Sequence, residues 1–369
     1  MKILCNREEL VEAVSNVSRA IPSKSSFTAL EGVLIKTGEG SVSLTGYNLE
    51  LGIKTSIKAG VQGDGAVLLS AHLFGEIIKK LPNPDITIEA DESLNVLIKS
   101  GDSEFSIMSG NPEEFPELPI LTESNSITIS QPLLKSMIRQ TKFAIAVDDS
   151  KPIHKGVLFE TGENQLRLVA VDGFRLAVRK EAIEVKDDLS FVVPGKTLSE
   201  IQNLLSDSDE EVIEIFVGKK QIFFNIGSYN VISRLLEGTF LDYKSAIPTK
   251  NATELKIDTK ILLNCFERAS LVIVERLKSP VRCIFDEDLI KVSCSTTLGK
   301  SFEQVEAKIE GEPLEIGFNN RFLLDALRAS ETDMVRLALN GANAPMKILP
   351  PEGDSFLFLV LPVRIKQEF

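Results

Sequence analysis

The chain has 369 residues, 43% hydrophobic and 25% charged, with a formal net charge of −12 and a pI near 5.0. That length exceeds one ordinary core and suits two or three domains, and the acidic balance argues against a surface that coats nucleic acid, while leaving room for a local basic face. The opening MKILCNREEL lacks a signal peptide's apolar run and no stretch approaches the ~18 apolar residues of a membrane helix; the four cysteines (Cys5, Cys265, Cys283, Cys294) form no CxxC and are expected as free thiols in a reducing cytoplasm.

In chain order, ILCNREELVEAVSNVSRAI begins as an alternating strand and becomes an amphipathic helix marked by Leu10, Val14 and Val17. GVLIKTGEGSVSLTG reads as a hairpin whose Thr-Gly-Glu segment supplies the turn, glycine tolerating positive φ. SAHLFGEIIKKLP is a second helix, and ITIEADESLNVLIKSGDSEFSIM closes the unit with strands.

The same phrases then return. TISQPLLKSMIRQTKFAIA repeats the strand and helix, with Leu134, Ile138 and Thr141 in register. GVLFETGENQLRLVA repeats the hairpin, PGKTLSEIQNLLSDS the second helix and IEIFVGKKQIFFNIGSYNVISRLL the closing strands. A third pass follows: KIDTKILLNCFERASLVIV with Leu262, Phe266 and Ala269, then VRCIFDEDLIKVSCS with Asp-Glu-Asp in place of the glycine. NNRFLLDALRASETD and VRLALNGANAPMKILPPEGDSFLFLVLP complete it, SFLFLVLPV reading as a buried strand. Glu76, Glu200 and Asp325 correspond, as do His72, Lys196 and Arg321, and Phe115 matches Phe240. The chain therefore reads as three tandem α+β copies with breaks near LTESNS and PTKNAT, giving domains 1–122, 123–251 and 252–369.

Several chemistries fail on their motifs. PGKT at 194–197 lacks the earlier glycine of a phosphate-binding loop, that place being Ser190, and reads instead as a helix start. Two histidines, His72 and His154, with no HExxH leave no metal site to expect, and no GxSxG elbow occurs. The acid pairs at 148–149 and 187–188 read as solvated loops. No cofactor is expected.

Three such copies, VAVDGFRLAV with Asp172-Gly173-Phe174-Arg175-Leu176, and LVLPVRI with Leu361-Pro362-Val363-Arg364-Ile365 resemble the bacterial sliding clamp family, the beta subunits of DNA polymerase III. The resemblance covers essentially the whole chain. It implies a non-catalytic processivity factor: a head-to-tail homodimeric ring, two helices packed on antiparallel sheet in each domain, around duplex DNA without sequence preference. Geometry is compatible, since six helices side by side leave about 8 Å clear and twelve about 25 Å, against about 20 Å for B-form DNA.

The resemblance further implies a pore lined by basic residues, here Arg7, Lys79, Lys80, Lys135, Arg139, Lys142, Lys196, Arg268, Arg321 and Arg328 on the helices, with Arg19, and Lys24 in the loop after the first helix. It implies a groove for partner peptides at His154, Val171, Gly173, Phe174, Arg175, Leu176, Leu241, Ser245, Ala246 and Pro345, completed by Leu359, Val360, Leu361, Pro362, Val363, Arg364 and Ile365. Arg175 would hydrogen-bond peptide or backbone carbonyls. Phe174, His154, Leu241, Ser245, Leu361 and Val363 depart from the family's common residues, and Lys366 to Phe369 run past its usual end. Phe105 and Ile107 would meet Leu271 and Val272 across the subunit seam. Expected partners are the replicative polymerase alpha subunit, the clamp loader, repair polymerases and other proteins with a clamp-binding motif, in the cytoplasm and with no membrane. Two other classes compete: a cytosolic enzyme using paired acidic residues, with no identifiable site, and a secreted repeat scaffold, for which a basic face is not expected.

Overall fold

The computed structural model describes residues 1–121, 124–148, 151–273 and 279–365. Asp149 of the first acid pair, the 122–123 break and the Lys366–Phe369 extension lie outside them. Among the described residues six α-helices form where the 3.6-residue periodicity places them: α1 Arg7–Val17, α2 Ala71–Lys80, α3 Gln131–Lys142, α4 Gly195–Leu204, α5 Thr259–Ser270 and α6 Asn320–Ser330. Asn6 opens α1 by accepting the Glu8 and Glu9 amides, and Asp258 and Asn319 do the same for Ile261 and Arg321. α1 buries Leu10, Ala13, Val14 and Val17, and α5 buries Leu262, Cys265, Phe266 and Ala269. Among the described residues no helix is long and apolar enough to cross a membrane. All four cysteines are free and buried, and burial pushes the Cys5 thiol up to about 12.

Each copy runs strand, helix, three strands, strand, helix, three strands; the third adds the short strand Ile309–Gly311. The three hairpins appear in their predicted places, at Gly32–Gly38 with Ser41–Tyr47, Gly156–Gly162 with Gln165–Val171, and Val281–Asp286 with Leu289–Thr296. The second turn differs from expectation, while the third does without glycine as its Asp-Glu-Asp segment implies. Only the first uses a glycine, Gly40 at φ 63°; the others hold Glu163 and Asn164, and Glu287 and Asp288, at φ between 50° and 59°. Two consecutive positive-φ residues match the right-handed twist of the flanking strands, and the short polar side chains of Asn and Asp tolerate that region.

The chain packs as two compact units. The first comprises residues 1–132 and 199–235, the second 133–198 and 236–369. The division cuts through the second repeat because the ladders run from copy to copy. In the first unit, strand Leu51–Gln62 pairs with Tyr229–Arg234, so the closing strands of copy two extend copy one's sheet into twelve strands. In the second unit, Arg175–Ala182 pairs with Phe356–Val360, joining copies two and three in a nine-stranded sheet. A separate four-stranded sheet has Gly299–Glu306 at one edge and Leu314–Phe318 at the other.

Candidate functional site

The corner between Gln165–Val171 and Arg175–Ala182 is set by Asp172. Its carboxylate accepts the Phe174 and Arg175 amides at 2.9 and 3.0 Å, an Asx turn, and Gly173 follows at φ 89° with open space where a Cβ would be. Arg175 is held by carboxylates of the chain itself. It is 7% exposed; Nε donates to Asp172 at 2.8 Å and Nη1 to Asp325 of α6 at 2.6 Å. Its guanidinium lies 4.5 Å from the Phe322 ring centre and 5.5 Å from that of Phe143. Arg175 thus ties the corner to α6, since a desolvated guanidinium is stable only when charge and donors are met. Phe322 and Asp325 were not anticipated as parts of this site. Only the repeat alignment of Asp325 with Glu76 and Glu200 marked one of them.

Val171, Leu176 and Leu359 belong to a buried cluster with Ile153 and Tyr243, and Val360 is fully buried. All four are buried, Leu359 and Val360 on opposite faces of their strand. The exposed apolar surface comes from Phe174, stacked on Phe322 at 6.1 Å, and from Leu241, Leu361 and Val363. The Leu361 amide donates to the Phe174 carbonyl at 2.9 Å, bringing the two predicted segments together.

Beside them, His154 and Leu241 share a cavity of about 390 Å³ with Lys151, Pro152, Ile153, Glu237, Gly238 and Thr239. His154 is buried with its ring edge-on to Phe240 at 5.3 Å. Burial, then the Lys151 charge, lower its pKa and favour the neutral imidazole. Ser245, Ala246 and Pro345 are not among the residues lining this cavity. Ser245 is exposed and donates to the Asp242 carbonyl at 2.8 Å, Ala246 is exposed, and Pro345 is half-buried. Arg364 is exposed, with Pro362 and Ile365 half-buried.

The basic helix residues are less free than expected. Lys79 and Lys80 reach Glu76 at 3.6 and 3.8 Å, Arg19 reaches Glu200 at 3.3 Å, and Arg139 pairs with Glu331. Arg268 meets Glu303 at 2.6 Å and Arg328 meets Glu267 at 2.8 Å. Arg7 is half-buried and donates to the last-turn carbonyl of Lys79 at 3.4 Å, while Lys135 and Lys142 are half-buried and Lys24, Lys196 and Arg321 exposed. Solvent-exposed pairs of this kind contribute little stability, so their cations remain exchangeable toward another anion.

Among the described residues, strand Ser103–Met108 is a sheet edge bonded to Asn95–Ser100 alone, with Phe105 exposed and Ile107 half-buried. Leu271 and Val272, expected on the matching edge, lie on no strand. Leu271 caps α5 and is exposed, because the helix hydrogen bonding stops there, and the Val272 carbonyl accepts the Thr296 hydroxyl at 2.6 Å. One edge of the four-stranded sheet is Gly299–Glu306, where Phe302 is exposed, as is Leu298 in the preceding turn.

Sequence and structure comparisons agree along the whole chain. Profiles of the N-terminal, central and C-terminal domains of the DNA polymerase III beta subunit match residues 1–119, 128–242 and 244–364. The beta sliding clamp of Bacillus subtilis (strain 168) is 34% identical over 377 residues, covering 99% of this chain and all of that protein. Among solved structures, a DNA polymerase III beta subunit of Eubacterium rectale superposes with TM-score 0.95 at 34% identity, and the DNA polymerase sliding clamp of B. subtilis with 0.96 at 33%. Each covers 99% of this chain and 100% of that one. None of these relatives supports an enzyme working through paired acids.

Proposed function

The chain belongs to the DNA polymerase III beta-subunit family, the beta sliding clamps, and from that premise we propose that two copies close head to tail around duplex DNA. Its role is that of a processivity clamp, an accessory subunit rather than the catalytic one. The observation that carries the ring is the repeat itself. Three copies in one order bring two helices each, and twelve helices from two chains bound a hole about 25 Å wide. Domain limits near 122 and 251 and a cytoplasmic setting belong to the same proposal.

Lys24, Lys79, Lys80, Lys196 and Arg321, all exposed, attract phosphates without reading bases. The paired Arg139, Arg268 and Arg328, with the half-buried Arg7, Lys135 and Lys142, join them when phosphate outcompetes a surface carboxylate. The seam forms between the open edges Ser103–Met108 of one copy and Gly299–Glu306 of the next, the two strands bonding through unpaired backbone groups. Phe105 and Ile107 then meet Phe302, with Leu271 and Val272 beside it. The Phe174–Leu361–Val363 surface and the His154–Leu241 cavity take short apolar peptides from the polymerase alpha subunit, the clamp loader and repair polymerases.

The test is topological. Loaded on nicked circular DNA, the protein remains bound through gel filtration, and linearising the circle releases it. Loss from the intact circle, or a mass near 40.6 kDa rather than twice that at micromolar concentration, rules out the ring.

A further inference from the structure

All three copies repeat one small construction. After the last strand of each copy, the chain turns back and bonds to the strand that precedes the second helix of a copy. The Gly110 amide donates to the Leu68 carbonyl at 2.8 Å, Leu236 to Val192 at 2.9 Å, and Val363 to Gly317 at 2.8 Å. Isolated antiparallel bridges accompany each contact. In two copies the receiving residue is bulky and buried, Leu68 and Val192. In the third it is a glycine.

We infer that Gly317 is a positioning residue of the partner groove, its missing side chain being what lets residues 361–365 lie flat as the groove wall. The inference rests on the groove reading above. A Cβ on Gly317 would stand 2.6 Å from Ile365 Cγ1 and 2.7 Å from the Val363 carbonyl oxygen. Contacts under 3.0 Å are not sustained, and one of these atoms is backbone, so the tail itself must move. Gly317 lies within strand Leu314–Phe318 and outside the positive-φ positions, so its own backbone accepts a side chain and only the tail opposes one. Two residues earlier the tail is pinned at the Phe174 carbonyl through the Leu361 amide at 2.9 Å. A lift at Val363 therefore turns Leu361 and Val363, the tail's exposed apolar side chains, away from Phe174.

The decisive variant is Gly317→Ala in the full-length dimer. Binding is read by fluorescence anisotropy with a fluorescein-labelled synthetic peptide ending in Leu-Phe, and tail placement by trypsin cleavage after Arg364, followed by mass. Gly317→Ala weakens the peptide about tenfold, roughly 1.4 kcal/mol, and cleaves several-fold faster, with dimer mass and melting temperature unchanged. An affinity within roughly twofold of wild type overturns the inference. Should Gly317→Ala melt early, Ile365→Ala removes the same contact from the tail side; unchanged affinity and cleavage there overturn it equally. A wild-type protein that ignores the peptide refutes the groove reading. The cleavage comparison then still judges Gly317, and equal rates show that it does not hold the tail.

Discussion

Two corners of the molecule share a backbone and differ in everything that makes a site. In the first unit, Asn48 accepts the Glu50 and Leu51 amides at 3.0 and 2.8 Å, Leu49 sits at φ 72°, and the Glu50 carbonyl accepts the Arg234 amide at 2.9 Å. In the second, Asp172, Gly173 at φ 89°, Phe174 and Leu361 repeat each of these bonds. Yet the first corner is filled. Leu51 is buried where Arg175 stands, Leu118 packs into the room left by Gly52, and Leu30 occupies the place of His154. Repetition of the fold thus supplies two equivalent frames, which differ in side-chain volume and in one buried charge.

The largest effect is expected from that charge. Arg175→Ala strands Asp172 and Asp325 and costs about 3 kcal/mol in urea unfolding. Coupling between Arg175 and Asp325 in a double-mutant cycle under about 0.3 kcal/mol would mean that the tie to α6 does not hold the corner. Emptying the first corner comes next: Leu118→Ala costs about 2 kcal/mol there and leaves peptide binding untouched. Phe174→Ala reverses that pattern, lowering peptide affinity about tenfold with melting temperature unchanged, whereas Glu50→Ala at the matching place alters neither.

Smaller effects separate the turns. Gly173→Ala destabilises by about 1 kcal/mol, while Leu49→Gly, which relieves a leucine from the left-handed region, stabilises by up to about 1 kcal/mol; equal signs in thermal melts would remove the equivalence. The smallest is protonation of His154. Its folded pKa lies below the unfolded value near 6.5, so its contribution is complete above that pH and declines as pH falls below it, the unfolded chain binding the proton first. Urea titrations at pH 7.5 and 5.5 show a smaller loss for His154→Leu, whose side chain matches Leu30, than for wild type.

What the chain itself determined is local and periodic. Leu10, Leu134 and Leu262 announce helices because apolar spacing at 3.6 residues has one good solution, and the returning GVL phrase marks hairpins because strand alternation and a two-residue turn are nearest-neighbour properties. Even there, the second hairpin places Glu163 and Asn164 at positive φ in the turn where the Thr-Gly-Glu phrase points to glycine. Tertiary structure alone decided the rest. Arg175 finds Asp325 across 150 positions of sequence, Leu118 fills the space above Gly52, and Ile365 lies over Gly317. Whether a side chain lines a cleft, lies beneath it or closes it depends on volumes and charges supplied by distant strands, and no period or spacing along one segment encodes which distant strand arrives.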